Sequence, residues 1–289
     1  MEKKYSRQIS TEVEKYNVKL EGFPKGGVLD SFPMGGGDCG ANVWMEEDGA
    51  LHLLLSKTDS FAESGRLMKI GHVKISTQPQ LFSRDNPPLM ELHLLDGHIT
   101  VEDKKGEAKI TLAAFVDLPL IGVEIQSRTP AAVSLSHENY RTGTRVLHHG
   151  DPSAYCYSGA KFEVRESADL SFSQPDALAW CHYNQWSYVP YTLLNQHLSE
   201  FIGEDPIRGR CFGCVALGDG FSMKDGTLSA PAKTGHQLFL SLSCGQYPSP
   251  DEWLRAARQE APRLSDMDFH GLLRKNAQWW TNYFTEYYL

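Results

Sequence analysis

The sequence predicts an all-β fold, an antiparallel β-sandwich followed by C-terminal helices, and three observations support this. Short apolar runs separated by turn residues recur between about residues 41 and 245. Almost no segment of helical period interrupts them, as is typical of antiparallel sandwiches. Beyond residue 248 the apolar residues change to helical spacing. We therefore expect a sandwich domain over residues 1–248 and a helical segment over residues 249–289.

The strand signals follow one another with regular turns. Residues 51–55 follow Asp48-Gly49, and residues 90–95 and 98–102 flank Asp96-Gly97, a dipeptide typical of tight hairpins. Asp225-Gly226 predicts another tight turn. The remaining strand signals are residues 109–116, 120–126, 132–136, 160–165, 177–183 and 237–243. Residues 191–202 are the exception, since their apolar spacing predicts either a short helix or a long crossing loop.

The helical segment has a clear start. Ser249 is a good N-cap, Pro250 suits the first helical position, and Glu252 completes a capping box. A second helix begins near Asp266 or Asp268. Its apolar residues recur at helical spacing: Phe269, Leu272, Leu273, Trp280 and Phe284.

The last turns of this second helix are unusually aromatic. Seven of the eleven residues in 279–289 are aromatic or apolar, and each aromatic side chain can bury roughly 150–250 Å². A single buried helix face does not accommodate so many. We expect a following domain, a partner chain or the sandwich itself to cover them. The candidate docking residues are Trp279, Trp280, Tyr283, Phe284 and Tyr287.

Composition excludes several classes of function. The 289 residues carry a formal net charge of −8, and no run of Lys or Arg exceeds two residues, so we expect neither a nucleic-acid partner nor an acidic membrane surface. No apolar stretch of about 18 residues is present to span a membrane. The polar N-terminus has no signal-peptide core. We therefore expect a cytoplasmic protein with six reduced cysteines, unless an export signal is missing from the sequence.

The glycine-rich segment around Gly36, Gly37 and Asp38 is the first candidate substrate-binding site. Successive glycines permit positive φ and a close approach of the backbone. Asp38 then lies at the tip of a loop that reaches into a sugar-binding cleft, or in a compact strand-to-strand turn where it caps local amides. The sequence leaves both open.

The second candidate is the segment 180–188, which is rich in rings and amides. Aromatic faces with a few placed polar groups are the usual lining of a binding pocket. We expect Trp180 to be a core residue. His182, Asn184 and Trp186 are candidate sugar-binding residues, with a purely structural role as the alternative.

We nominate no catalytic residue, no metal site and no cofactor. Glycosidic hydrolysis needs two carboxyl groups roughly 5–9.5 Å apart, and no spacing shows that any two of Asp38, Asp59, Glu63 and Glu138 converge. Cys211-Phe-Gly-Cys214 has no second pair at zinc-ribbon spacing, and residues three apart on a strand point to opposite faces. The segment 148–151, His-His-Gly-Asp, has adjacent side chains that rarely converge. A G-x-S-x-G nucleophile motif is absent.

Four blocks of the sequence resemble the N-terminal domains of family 95-like glycoside hydrolases, which are α-L-fucosidase-type enzymes and uncharacterised bacterial relatives. The first block is Ser31–Trp44, with Pro-Met-Gly-Gly-Gly-Asp-Cys-Gly at its centre, and Gly36 stands where the family usually has Asn. The other blocks are 56–71, 180–213 and 270–284. The resemblance runs from about Tyr16 to Leu289.

The resemblance implies a β-super-sandwich joined by linker helices to an (α/α)₆ barrel that carries the catalytic groups. This chain would then support the barrel and contribute a loop to the sugar cleft, while being inactive alone. Two alternatives remain: a stand-alone carbohydrate-binding sandwich, and an interaction module whose residues 279–289 hold a partner or a second copy.

Overall fold

The computed structural model describes residues 12–148, 151, 157, 160–203, 205–261, 263 and 267–287. All strand pairings within these residues are antiparallel, and helices follow the last strand. The predicted fold class, an all-β sandwich with C-terminal helices, is therefore confirmed. Fourteen strands form one continuous network and two form a separate hairpin.

One layer of the sandwich contains nine neighbouring strands in the order β1-β6-β7-β8-β9-β16-β14-β13-β12. Their bounds are β1 Val18–Glu21, β6 Pro88–His93, β7 His98–Asp103, β8 Ala108–Ala114, β9 Leu120–His137, β16 Thr227–Gln246, β14 Arg210–Gly218, β13 Ala177–Tyr183 and β12 Asp169–Gln174. In the second layer, β2, β3, β4 and β5 pair in this order, and β5 pairs with the second half of β9. Strand β15 pairs with β16. The bounds of these strands are β2 Phe32–Gly36, β3 Cys39–Met45, β4 Leu51–Phe61, β5 Leu67–Gln78 and β15 Ser222–Lys224.

Two long strands belong to both layers. The first half of β9 pairs with β8, and its second half pairs with β5. Strand β16 follows β9 along both halves, with register shifts between Ala230 and Gly235. The sequence signals at 120–126 and 132–136 are therefore one strand and not two. Residues 128–130 are exposed and interrupt the apolar pattern opposite the register shift of β16, and Pro130 cannot donate to the ladder.

Two hydrophobic cores result from this arrangement. The larger lies between the layers and includes Trp180, Phe212 and Cys214. The smaller covers the outer face of the first layer, where Cys211, Phe239 and Phe115 meet the helix residues Trp253 and Phe269. Cys211 and Cys214 thus lie in different cores, on opposite faces of β14. The five described cysteines are free thiols.

The helices largely begin where the sequence predicts. Helix α1 is Val189–Asn195 and is followed by the 3₁₀ turn Ser199–Phe201, within the segment expected to be helix or crossing loop. Helix α2 is Pro250–Glu260, and the Ser249 hydroxyl accepts the Glu252 N–H at 3.2 Å, which confirms the cap. The Glu252 carboxylate, however, pairs with Arg255. Helix α3 is Phe269–Tyr287, and Asp268 accepts the Gly271 N–H at 2.8 Å; Asp266 is outside the described residues.

One predicted strand is mostly absent. Of residues 160–165, only the end joins the three-residue strand β11, Val164–Glu166, which pairs with β10, Arg145–Leu147. The apolar residues of this region, with Tyr157 and Tyr188, instead form a small third cluster. Among the described helices, none is both long enough and apolar enough to span a membrane.

Candidate functional site

The glycine-rich segment forms a compact hairpin turn between β2 and β3. Gly36 pairs with Cys39, and Gly37 has a φ of +58°. A Cβ on Gly36 would lie 2.1 Å from the Ala114 carbonyl oxygen, and one on Gly37 would lie 2.7 Å from that of Val116. Both positions therefore need glycine, because the turn packs against the backbone of the β8–β9 loop.

Asp38 stands at the tip of this turn and forms an ion pair with Lys57. The Lys57 ammonium donates to the Asp38 Oδ2 at 2.5 Å and to the Asp59 Oδ1 at 3.0 Å. Lys57 is buried, while the two carboxylates are about half exposed. Burial alone would raise the pKa of Asp38, but the hydrogen bonds from Lys57 and Cys39 and the Lys57 charge together outweigh it and lower that pKa. Asp38 is therefore ionised at neutral pH, and it suits acceptance of a hydrogen bond and not proton donation.

A cleft of about 290 Å³ opens beside Asp38. Its wall includes Lys57, Asp117 and Cys244, and Glu260 from the end of α2. The loop 115–119 also lines a second, smaller cavity, which reaches Leu272, Lys275 and Asn276 of α3. The glycine turn and the C-terminal helix are thus neighbours on one side of the molecule.

Asn276 connects α3 to this side. It is buried, its Oδ1 accepts the Val116 N–H at 3.2 Å, and its Nδ2 donates to the Gly97 carbonyl at 3.0 Å. Trp280, one turn on, packs against Gly97, where a Cβ would lie 2.1 Å from the indole ring. Helix α3 is therefore fixed to two loops of the sandwich by this face.

The other face of α3 is open. Trp279, Tyr283 and Tyr287 are 42%, 42% and 65% exposed, and Phe284 is half-buried. The Trp279 and Tyr283 rings stack at 5.4 Å with 8° between their planes, and Tyr283 lies 5.1 Å from Tyr287. We call Trp279, Tyr283 and Tyr287 the aromatic stripe. Of the five candidate docking residues, the structure places Trp280 against the chain's own loops and leaves these three uncovered.

His182 lies in the interior, fully buried between two carboxylates. Its Nε2 is 3.0 Å from Glu63 Oε2 and its Nδ1 is 3.0 Å from Asp169 Oδ1. Burial alone would lower the pKa of His182, but the hydrogen bonds to Asp169 and Glu63 raise it. The side chain is an imidazolium that joins β13, β12 and the segment after β4. Arg141 completes the network, donating to Asp169 at 2.7 Å.

Asn184 is also fully buried and holds backbone in place. Its Nδ2 donates to the Phe61 carbonyl at 2.9 Å and to the Ile207 carbonyl at 3.1 Å. In this structure neither His182 nor Asn184 offers an atom to solvent. Trp180 is a core residue, as expected, and its indole donates to the Ile70 carbonyl at 3.2 Å.

Trp186 is the one accessible member of the second candidate group. It lines an open pocket of about 480 Å³ together with Phe162, Arg165 and Tyr188. The Phe162 and Tyr188 rings stack at 5.4 Å with 3° between planes. The Trp186 indole donates to the Arg165 carbonyl at 3.0 Å, which fixes its orientation. The sequence marked the segment that contains Trp186 and Tyr188, but Phe162 comes from residues 160–165, which were predicted as strand.

Sequence reasoning also missed a polar pocket of about 410 Å³ above the His182 network. Arg66, Lys69, Arg141 and Arg145 line it, and Arg66 pairs with the buried Glu166. These residues come from the turn between β4 and β5, from β5, β10 and β11, and from the loop after β9. No local spacing indicated that they converge. The predicted absence of a ligand set in 148–151 remains untested, because His149 lies outside the described residues.

Comparison with known proteins gives a family and a number of distant structures, including the following two. No curated protein matches the chain. A protein assigned as a kojibiose phosphorylase, from the human microbiome, aligns with 94% of this chain and 38% of its own at 11% identity and a TM-score of 0.45. A bacterial glucoamylase complexed with acarbose aligns with 92% and 40% at 11% identity and a TM-score of 0.34. The chain thus spans less than half the length of either protein.

The family comparison covers much more of the sequence. Residues 26–289 match the profile of a family described as a domain of unknown function (DUF5703). This range contains the glycine turn, the His182 network and the described part of α3. The chain therefore belongs to the family described as a domain of unknown function (DUF5703).

Proposed function

We propose that this chain is the N-terminal sandwich part of a glycoside hydrolase, related to family 95-like enzymes, whose catalytic groups lie on a separate helical barrel. Its role is to support that barrel and to present the β2–β3 turn to the sugar cleft. The four sequence blocks that resemble these enzymes support the proposal. Carbohydrate and an (α/α)₆ barrel or an equivalent helical domain are the proposed partners.

The observation that carries the proposal is that the helix bearing the aromatic stripe and the turn bearing Asp38 pack on the same loop. The loop 115–119 contacts the glycine turn on one side and the Asn276 face of α3 on the other. The stripe lies on the open face of α3, so a helical domain that covers it would dock on a helix that neighbours the cleft of Asp38. A carboxylate held ionised by Lys57 can accept a hydrogen bond from a sugar hydroxyl there, but it is a poor general acid.

The test is to express residues 1–289 alone, and together with the polypeptide encoded after codon 289. We expect no hydrolysis of aryl glycosides by residues 1–289 and measurable hydrolysis by the longer protein. Asp38→Asn should raise KM or lower kcat in the longer protein. Asp176→Asn is the matched control, because Asp176 also lies in a hairpin turn and pairs with an arginine, Arg258, at 2.8 Å.

Two results would overturn this proposal. One is turnover by residues 1–289 alone that a single carboxylate substitution abolishes. The other is a stop codon directly after codon 289, with no helical protein that binds the chain.

A second function, carbohydrate binding without catalysis, is favoured by the pocket at Trp186. The exposed Phe162 ring and the Trp186 indole line this open pocket and offer apolar surface to the C–H face of a sugar. Calorimetry with a panel of oligosaccharides should then detect binding that Trp186→Ala abolishes and Trp279→Ala leaves unchanged. No heat with any glycan in the panel would argue against it.

A further inference from the structure

A cluster of rings lies at one end of the β3–β4 hairpin, away from the glycine turn. Trp44 stacks on His52 at 5.1 Å and on His72 at 5.2 Å. Trp44 and His52 are cross-strand partners on β3 and β4, and His72 comes from β5. His52 is only 4% exposed. Trp44 and His52 are thereby almost completely removed from water, whereas His72 is partly exposed.

The two ring nitrogens of His52 are in different situations. Its Nδ1 lies 2.9 Å from His72 Nε2, within hydrogen-bond distance. Its Nε2 is buried and has no hydrogen-bond partner among the described residues. A buried polar atom without a partner costs free energy. A histidine with one nitrogen hydrogen-bonded and the other free has the form that metal ligands take.

Two carboxylates lie close to His52 Nε2. Glu46 Oε2 is 3.7 Å from His52 Nε2, too far for a hydrogen bond. Asp48 follows in the β3–β4 turn, and ligand atoms of Glu46, Asp48 and His52 lie within 4.8 Å of one another. Zinc binds such ligands at about 2.0–2.1 Å in a tetrahedron, so ligand atoms are roughly 3.3 Å apart. Glu46 and Asp48 are half exposed. Glu46 Oε1 accepts the Trp44 indole N–H at 3.3 Å and Asp48 Oδ1 accepts the Ala50 N–H at 3.0 Å, so the oxygens offered to a cation are Glu46 Oε2 and, in competition with Lys74, Asp48 Oδ2.

We propose that Glu46, Asp48 and His52 bind one divalent cation of the zinc type, with solvent as the remaining ligand. His72 is the positioning residue that orients the His52 ring. One imidazole and two carboxylates favour zinc over calcium, which prefers six or more oxygen ligands. This differs from the absence of a metal site expected from the sequence. The spacing 46-48-52 spans a turn and matches no metal motif, and His72 comes from another strand.

Lys74 provides a directional test, because it competes with the cation. Its ammonium lies 2.8 Å from Asp48 Oδ2. A bound cation would share this carboxylate and would be repelled by the lysine charge. Lys74→Met should therefore strengthen zinc binding, by about threefold or more. A site that does not involve Asp48 would not respond in this direction.

The experiment is calorimetric titration of the untagged chain with ZnCl₂, MnCl₂ and CaCl₂. We expect one zinc ion per chain, with calcium bound at least about tenfold more weakly. His52→Ala and the double substitution Glu46→Gln/Asp48→Asn should each weaken zinc binding by about tenfold or more. His72→Ala should weaken it less. Zinc should also raise the Tm of the unsubstituted protein and not that of the double variant.

The chain contains a matched control. His93 Nδ1 is likewise 3.7 Å from a carboxylate, Glu91 Oε1, but His93 is half-buried and its Nε2 lies 3.0 Å from the Thr100 hydroxyl. Glu91→Gln/His93→Ala should leave zinc binding unchanged. Glu46→Gln/Asp48→Asn alters only exposed side chains, so it remains informative if His52→Ala fails to fold. Absence of zinc binding, or binding that this double variant does not weaken, would overturn the proposal.

Discussion

At the scale of single residues, the interior of this sandwich is held by charge as well as by apolar packing. The imidazolium of His182 lies between Glu63 and Asp169, and Ser167 donates its N–H to Glu63 at 3.1 Å. Removing one partner of a buried ion pair leaves an uncompensated charge, which typically costs 3–5 kcal/mol. This network joins segments more than 100 residues apart in the sequence.

We predict that His182→Gln destabilises the protein by about 3–5 kcal/mol near pH 6. The pKa of His182 is raised in the folded protein, so its contribution is complete below the unfolded value of about 6.5 and is lost as pH rises through the folded pKa. Urea unfolding of both proteins at several pH values between 5.5 and 9 measures this difference. A difference that does not shrink toward alkaline pH would contradict the prediction.

The residues near His182 show what a sequence can and cannot reveal. Trp180 was expected in the core, and side chains two and four positions later on a strand point to the same face. This alternation favours burial of His182 and Asn184, and it was the available signal. Their partners Glu63, Asp169 and the Phe61 carbonyl were not predictable, because nothing local links these segments to β13.

At the scale of elements, the glycine turn is defined by close contact with a loop. Gly37 combines a positive φ with a Val116 carbonyl oxygen that would lie 2.7 Å from any Cβ. Gly106 also has a positive φ, +67°, but open space around it. Substitutions at Gly106 and Gly37 therefore distinguish the cost of backbone strain from the cost of a steric clash.

We predict that Gly106→Ala costs about 1 kcal/mol, because only the left-handed backbone is strained. Gly37→Ala should cost about 1–3 kcal/mol more, since the methyl group also meets the Val116 backbone. Denaturant unfolding measures both. Equal losses would show that the turn can move away from the β8–β9 loop.

Helix α2 offers a test of its cap. Ser249→Ala removes the oxygen that accepts the Glu252 N–H and should destabilise the protein by about 1 kcal/mol. Ser222→Ala, at an exposed strand position, is the control and should change stability by less than about 0.5 kcal/mol. Thermal unfolding of the two variants distinguishes them. Equal Tm values would mean that the cap contributes nothing.

Elements with strong local signals were the predictable ones. Residues 177–183 coincide with β13, and Asp225-Gly226 forms the turn before β16 with φ values of 49° and 77°. The length of β9 was not predictable, because exposed residues 128–130 interrupt its apolar pattern, and the strand continues past them by pairing with β5 and β16, which are far away in the sequence. The glycine turn was expected, but its ion pair with Lys57 was not.

At the scale of the whole molecule, the aromatic stripe is an exposed row of rings along one face of α3. Trp279 stacks on Tyr283, and the Tyr283 and Tyr287 rings are tilted by 40°, whereas Trp280 on the same helix packs against Gly97. Substitutions at exposed positions usually change stability little, while loss of a packed tryptophan is costly.

We predict that Trp279→Ser/Tyr283→Ser/Tyr287→Ser changes the free energy of unfolding by less than about 1 kcal/mol. It should abolish binding to a helical partner, or any self-association of the isolated chain. Trp280→Ala should instead lower stability by about 2 kcal/mol or more. Light scattering and calorimetric unfolding provide the two readouts. A large stability loss in the triple variant would place the stripe in the chain's own fold.

Strands β9 and β16 belong to both layers, and this has a consequence for unfolding. Heat or denaturant cannot melt one layer and spare the other, since each would lose two of its central strands. A gene fragment ending before residue 227 would lack β16 and leave both layers with unpaired interior edges, so it should aggregate. We therefore expect the two layers to unfold together in one cooperative transition.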